Sequence, residues 1–469
     1  MKKILLLLFL LSFEICCAQQ WFPLQGGLSG TNAQSDKVTA LCTDSVHHVL
    51  FVAGSFQYAN DTLLVKNIAK WDGTNWSALI THDSNGIYNG FSGPDLTFSL
   101  TIFHNRLFIA LNSSLSSAVF SCSLDSFDIA VHGVFNADIN AIGVYNDTLY
   151  IGGAFSQWKT YYTSSTWYNA SGIVKWEGGT QWQQVGGGIS VGGFSEVNAL
   201  CVHHNKLYAA GIFENAGGTY CKNIACWNDT SWSAVGNGFG FSGQFDCILL
   251  SLASYKNKLF LGGTFHQSDG YISTGLAYWN DTTFKPGGVS ADLIYAMKEF
   301  NGKLYIGGWE AGQGISPNDR VSCYNDTSWN TTGAGPENPV YAMEVFDSSL
   351  YVGGEFLHVD STTFVGYITR YDPAIIIQDT TAIVEVKQKG SAINIYPNPA
   401  TNEIKISNLS PEENQIKIFN LLGQQVKSLS VSNEQNHTIN ISDLSSGIYM
   451  LTVSNNKKIS CKKFVKSPT

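Results

Sequence analysis

Short runs of alternating apolar and small residues recur along most of the chain, broken by Gly, Asn and Asp. The clearest run reads Leu-aromatic-apolar-Gly/Ala-Gly-x-Phe. It begins at Leu50 (LFVAGSF), Leu149 (LYIGGAF), Leu207 (LYAAGIF), Leu259 (LFLGGTF) and Leu350 (LYVGGEF), with looser copies at Leu107 (LFIALNS) and Leu304 (LYIGGWE). Successive starts lie 57, 42, 58, 52, 45 and 46 residues apart. A period of roughly 50 residues predicts a solenoid or a β-propeller, the latter with about four strands per unit. The fourth unit shows the parse best: Val197 to His203, Leu207 to Phe213, Asn223 to Trp227 and Trp232 to Val235. The alternation along these runs is that of packed strands. Gly in the second strand predicts a close backbone approach, expected near a central axis.

A second pattern follows each second strand. Paired aromatics stand five or six residues apart at Trp71/Trp76, Trp176/Trp182, Trp227/Trp232, Trp279/Phe284 and Tyr324/Trp329, with Cys122/Phe127 keeping the spacing in a degenerate second unit. Asp-Gly, Glu-Gly or Asn-Asp turns lie between them and close hairpins. These aromatics are expected to pack one unit against the next. The seventh unit has Tyr371 but no fourth-strand Trp, and the missing piece stands at the other end, where Trp21 to Gly27 matches Trp232 to Gly238. The fold class expected is therefore all-β: a seven-bladed β-propeller over 19–373 whose N-terminal strand closes the last blade. The repeats resemble kelch-like bacterial propeller repeats, a resemblance that implies a fold and leaves function open.

The character of the chain changes after a linker at 374–391. Asn394-Ile-Tyr-Pro-Asn-Pro-Ala400 opens a segment that continues through Glu403 to Ser407, Ile416 to Val426 and Ile439 to Val453, and ends at Lys462 to Lys466. Pro397, Pro399, Gly423 and Gly447 punctuate alternating strands, predicting a small Ig-like β-sandwich over 392–469. The YPNP opening, the NLLGQ centre and the SSGIY end, in that order, resemble the type A sorting domain of the type IX secretion system. The resemblance implies export through the inner and then the outer membrane, with the type IX machinery as a partner. It implies release or attachment at the cell surface, and no catalytic residues.

The N-terminus supports export. Lys2 and Lys3 precede an apolar run from Ile4 to Phe13, and Ala18 offers a cleavage site, so residues 1–18 are expected to be a signal peptide. Cys16 and Cys17 raise a lipoprotein alternative, but Phe13-Glu14-Ile15 is a poor lipidation signal. No apolar stretch is long enough for a transmembrane helix of about 20 residues. Charged residues make up 13% of the chain and the net charge is −9, which argues against nucleic acid as a partner. Eight of the 10 cysteines follow the cleavage site. Cys42 with Cys201 and Cys226 with Cys323 occupy matching repeat positions, as apolar packing residues would. Disulfides, for instance at Cys221, remain an open alternative.

Chemistry-bearing patterns are sparse. Connections between second and third strands, and between fourth and first strands, are long and fall on one end of a propeller, where binding residues concentrate. The loop from Ser156 to Ser171 carries Trp158, Tyr161, Tyr162, Trp167 and Tyr168, flanked by Ser, Thr and Asn. These five are the ligand-binding candidates, suited to a surface glycan or a protein ligand. The alternative is that they pack the loop onto its own blade. Tyr88, Phe91, Phe239 and Phe241 could extend that face. Gly188-Ile-Ser190-Val-Gly192 matches GxSxG but lacks a strand–turn–helix context. His47-His48 and His203-His204 sit in equivalent turns and read as structural or solvated. Glu214, Asp269, Glu310 and Glu355 follow second strands and could converge near the axis to hold a cation or act as an acid/base pair. No catalytic residue, metal site or cofactor is assigned from the sequence. The function expected is a secreted or cell-surface, non-catalytic binding or adhesion protein. The alternative is a secreted polysaccharide-acting enzyme using carboxylates on the propeller face.

Overall fold

The computed structural model describes residues 21–373 and 393–467 apart from 31–35, 82–83, 86–95, 114–115, 125–128, 191–194, 240–246, 266, 269–270, 273–274, 314–319, 410–413, 421–424, 433 and 456–457. The signal peptide with Cys16, Cys17 and Ala18, the linker, Tyr88, Phe91, Phe241, Asp269, Gly423 and the side chain of Glu310 lie outside the described residues. All regular elements among the described residues are strands. Trp21–Asp372 and the C-terminal segment form two compact units.

Each of the seven sheets of the body is built on four antiparallel strands. Sheet 1 is built from Lys37–Asp44, Val49–Ser55, Ile68–Trp71 and Trp76–Ala78. Sheet 2 contains Thr97–Phe103, Arg106–Asn112, Ser117–Ser123 and Ile129–Phe135. Sheets 3 to 6 begin at Ile139–Tyr145, Glu196–His203, Ile248–Tyr255 and Ser290–Phe300. Sheet 7 takes Val340–Phe346, Ser349–Gly354 and Ile368–Tyr371 from the end of the body, and its fourth strand, Trp21–Pro23, from the beginning. Trp21 lies opposite Tyr371 in that register, as Trp232 lies opposite Trp227 in sheet 4. The first strand of each sheet packs on the first strand of the next, and sheet 7 packs on sheet 1, so the seven sheets form a closed ring.

The double-Gly motif has two separate causes. In six sheets the first strand carries a β-bulge, in which Thr39, Asn140, Asn198, Leu250, Tyr295 or Tyr341 is the extra residue of the register. The bulge swings a first-strand carbonyl over the second Gly of the motif. At Gly211 a Cβ would overlap the carbonyl oxygen of Glu196 and lie 2.9 Å from its carbon. The first Gly instead meets the next sheet: a Cβ at Gly152 would lie 2.5 Å from Val197 Cγ1, and one at Gly262 2.8 Å from Ile294 Cβ. The close approach is thus within a sheet and across a junction, not to the axis itself. Sheet 2 pairs Thr97–Phe103 with Arg106–Asn112 without a bulge, which is why Ala110-Leu111-Asn112 can replace the motif there.

Two girdles tie the ring together. Towards the rim, the fourth-strand indoles donate to carbonyls of the preceding sheet. Trp182 reaches His132 (2.9 Å), Trp232 reaches Val185 (3.1 Å), Trp329 reaches Gly287 (2.7 Å) and Trp21 reaches Thr332 (3.2 Å). Around the axis every junction is bridged by a side chain. Phe98 N donates to Thr39 Oγ1, Ser99 Oγ to Asn140 O, Asn140 Nδ2 to Asn198 Oδ1, Asn198 Nδ2 to Leu249 O and Ser251 Oγ to Ile294 O. Tyr295 packs on Tyr341 at 5.1 Å, and the Lys37 ammonium lies 5.8 Å from the Tyr341 ring centre. Paired polar groups suit this zone because an unbonded one would keep its desolvation cost.

In the C-terminal unit, Asn394–Tyr396, Glu403–Ser407 and Asn436–Asn440 form one sheet. Asn414–Phe419, Gln425–Val431, Gly447–Asn455 and Lys458–Lys466 form a second. Strict alternation turns Ile404, Ile406, Ile416, Ile418, Leu451 and Phe464 into one shared core.

Candidate functional site

The aromatic loop is a hairpin that prolongs sheet 2. Gln157–Lys159 pairs with Val134 and Phe135 and in turn with Tyr168–Asn169. Asn136 anchors its base: Oδ1 accepts from the backbone N–H groups of Ser156 and Gln157 (both 2.9 Å), and Nδ2 donates to Ser156 Oγ (3.0 Å). Strand alternation then sorts the candidates. Trp158 points into the core between sheets 2 and 3 and is only 3% exposed, so it is a platform and not a contact residue. Tyr168 stacks on it at 4.6 Å with 24° between the planes and keeps its outer face in solvent. Tyr161, Tyr162 and Trp167 are exposed as well. Lys159 Nζ lies 4.8 Å from the Trp167 ring centre and donates to the Tyr162 carbonyl (2.9 Å), so the tip of the hairpin holds itself in shape.

Three further aromatics share this end of the ring. Tyr220, Trp309 and Phe364 are each about half exposed; Tyr220 and Phe364 lie in connections between a second and a third strand, and Trp309 lies in the outer part of the long second strand of sheet 6, Lys303–Gln313. Antiparallel sheets put all such connections on one end. Among the described residues of the body, every large aromatic exposed to this degree falls there, while the opposite end exposes Val46 and Val202. Sequence reasoning passed over these three because each is isolated in its own repeat. Aligning the repeats by their double-Gly motif places Trp309 one residue, Tyr220 nine and Phe364 ten residues past it. Phe239, expected to extend the face, is 1% exposed and packs on Phe265 and Phe284.

The acidic residues are dispersed. Glu214 follows the second strand of sheet 4 and Glu355 that of sheet 7, so the ring separates them. Tyr341 Oη donates to Glu355 Oε2 (2.9 Å). Glu196, at the start of the first strand of sheet 4, accepts from Asn140 Nδ2 (2.7 Å). Burial pushes its carboxyl above the usual range against the pull of that bond, and nearby Asp138 adds to the rise. A cavity of about 250 Å³ on the axis is lined by all seven first strands, with Thr39, Ser99, Asn140, Asn198, Tyr295 and Tyr341 among its walls. Ser190 sits in a two-residue strand paired with Asn215–Ala216, without the helix a nucleophile elbow requires. Among the described residues, seven cysteines, Cys221 included, form no disulfide.

These observations define an all-β, propeller-like body with a separate β-domain at its C-terminus. Residues 394–467 match the family of secretion system C-terminal sorting domains. The protein is therefore a type IX secretion cargo, secreted or attached to the outer-membrane surface, and its tail engages the type IX machinery. No helix among the described residues is long and apolar enough to cross a membrane. One curated relative is an ulvan lyase, NLR42, of Nonlabens ulvanivorans, 31% identical over 107 residues. That stretch covers 22% of this chain and 20% of the lyase. Among solved structures, the chain is similar to the β-propeller domain of the trilobed protease from Pyrococcus furiosus, with a TM-score of 0.41 and 11% identity over 73% of this chain and 95% of that one. It is also similar to an acylaminoacyl peptidase, with a TM-score of 0.38 and 10% identity over 81% of this chain and 59% of that one.

Proposed function

We propose that this chain is a secreted or surface-attached binding protein that holds a glycan on the aromatic end of its ring. In this reading the body, 19–373, is a seven-bladed propeller of kelch-like repeats. A signal peptide (1–18) precedes it, and a linker (374–391) and an Ig-like sorting domain (392–469) follow. The observation that carries the proposal is the segregation of Tyr161, Tyr162, Trp167, Tyr168, Tyr220, Trp309 and Phe364 to one end. Flat rings with polar rims, held by a packed base, offer stacking area at little entropic cost. Tyr168 on its Trp158 platform is such a surface. The test is affinity electrophoresis of the full chain through gels of neutral and acidic polysaccharides. Retardation that is lost in Trp167→Ala/Tyr168→Ala, with an unchanged melting temperature, supports the proposal. No retardation by any glycan overturns it.

A second reading, a polysaccharide-acting enzyme, draws on the likeness to an ulvan lyase and on Glu196, whose raised pKa suits a proton donor. Its test is the release of new chain ends from polysaccharides by the full chain. Activity unchanged in both Glu196→Gln and Glu355→Gln would remove these carboxylates from any mechanism.

A further inference from the structure

The end of the ring opposite the aromatic face is built from two kinds of turn. In sheets 2, 3, 4, 6 and 7 the first and second strands join through two-residue turns whose central residues are both left-handed, as at His104-Asn105 (φ 47° and 57°) and His204-Asn205 (φ 45° and 56°). The residue just before the turn closes the hairpin. It is Phe103, Tyr145, Tyr255, Phe300 and Phe346 in sheets 2, 3, 5, 6 and 7. Each ring there is buried, and Tyr145 and Tyr255 send their hydroxyls across the junction to Asn205 O (3.2 Å) and Gly302 O (2.6 Å). Sheet 4 places His203 in this slot.

His203 is 1% exposed. Its Nδ1 lies 2.8 Å from Ser254 Oγ, while its Nε2 has no hydrogen-bond partner and faces Asp281 Oδ1 at 3.7 Å. Beside it, stacked at 4.0 Å, is His204, whose Nδ1 lies 2.9 Å from Asp281 Oδ2. Asp281 comes from the third-to-fourth-strand turn of sheet 5, where Asn280 Oδ1 accepts from Thr282 N, Thr283 N and Thr282 Oγ1. The turn thus spends the Asn280 side chain on itself and leaves the Asp281 carboxylate pointing across the junction. Two other junctions have simple pairs at this place, Lys256 with Asp326 and Asn146 with Asp229, and two more pair one first-to-second-strand turn with the next, His104 with Asp147 and His48 with Asp347. Only the junction of sheets 4 and 5, among the described residues, brings three metal-ligating groups within 4.8 Å of one another. A buried, unbonded imidazole nitrogen is costly in a slot that Phe fills elsewhere, and a ligand on that nitrogen removes the cost.

We propose that His203 Nε2, His204 Nδ1 and the Asp281 carboxylate bind one divalent transition-metal ion of the zinc type, clamping sheet 4 to sheet 5. Two imidazoles and a carboxylate suit zinc and its neighbours, and do not suit calcium or magnesium, which take oxygen ligands. Ser254 holds the outer nitrogen of His203, as second-shell partners of ligating histidines do. Three protein ligands leave a position open to water or to a ligand from outside.

The test uses the full chain, purified without a histidine tag and stripped with chelator. It is titrated with zinc by calorimetry and with cobalt by visible absorption. One equivalent per chain is expected, with a cobalt spectrum of a low-symmetry site and a melting temperature raised by the metal. His203→Phe, the residue type of sheets 2, 6 and 7, and Asp281→Asn should each lose the equivalent and the thermal shift. Ser254→Ala should weaken binding by roughly 10–100-fold. His104→Asn should change nothing. Circular dichroism confirms folding of each variant, and Asp281→Asn decides if His203→Phe does not fold. No uptake by the unsubstituted chain, or uptake unchanged in a folded His203→Phe or Asp281→Asn, overturns the proposal.

Discussion

Replacing Gly211 with Ala places a methyl group against the bulged first strand of sheet 4. The φ of Gly211 is not in the left-handed region, so Ala meets no backbone penalty of its own, and the effect is steric. The new carbon would overlap the Glu196 carbonyl oxygen and sit 2.9 Å from the carbonyl carbon and 3.0 Å from Asn198 N, where contact requires about 3.5 Å or more. Relief demands that the first strand retreat at the bulge. That retreat loosens the bonds of Asn198 to Asn140 (2.9 Å) and to Leu249 O (3.1 Å), which bridge the junctions on either side. Overpacking of this kind costs about 1–3 kcal/mol, and a weakened buried bond adds about 1 kcal/mol. The stiffer unfolded chain returns about 0.4–1 kcal/mol. A net loss of about 1–3.5 kcal/mol follows, centred near the upper end of ordinary single substitutions. Gly218 is the control: a Cβ there meets nothing within 4 Å, and only its φ of +82° opposes Ala, at a cost of about 1–2 kcal/mol. Urea unfolding followed by tryptophan fluorescence measures both. A midpoint for Gly211→Ala no lower than that for Gly218→Ala, at equal slopes, would refute the assignment of the second Gly to the bulge.

Trp232→Phe should cost about 0.5–1.5 kcal/mol, because it removes the indole N–H that reaches the Val185 carbonyl at 3.1 Å, an acceptor that keeps the Gly188 N–H at 2.8 Å. Equal stability of the two proteins in urea would show that the rim girdle contributes nothing. His132 is held between Ser121 Oγ at Nε2 (2.7 Å) and the Gly179 carbonyl at Nδ1 (2.6 Å), and burial above all, with Arg106 nearby, depresses its pKa. The unfolded chain therefore takes up this proton first, so stability present above about pH 6.5 falls as pH drops through the lower folded pKa. His132→Gln should flatten that part of the melting-temperature profile. Burial raises the thiol pKa of Cys42 and Cys247 to about 12 and of Cys201 to about 11, so these thiols should resist a thiol reagent at pH 8 until urea unfolds the chain. Rapid labelling of the folded protein would contradict it. Deleting residues 394–467 should leave the chain cell-associated, read by immunoblot of medium against cells.

The strand periodicity, the repeat and the tail motif are local patterns, and a single sequence displays them whole. Trp21 could be matched to Trp232 because the same fourth-strand residues recur, and the register Trp21 opposite Tyr371 follows from that likeness. The sorting domain was legible for the same reason, since its signals follow one another along the chain. What tertiary structure alone decided is which side chains meet. Trp158 and Trp167 lie nine positions apart in one aromatic loop, yet pairing with Phe135 turns one into the core and leaves the other in solvent. Tyr220, Trp309 and Phe364 share a face only because the ring carries them to one end. The role of Gly211 depends on a bulge, which is a matter of backbone register and leaves no mark in composition. His203 and Asp281 belong to different sheets, and the His203-His204 pair reads as an ordinary turn until the junction brings a carboxylate beside a buried nitrogen. Short-range order is written in residue spacing, whereas contacts across a junction exist only once the sheets have closed.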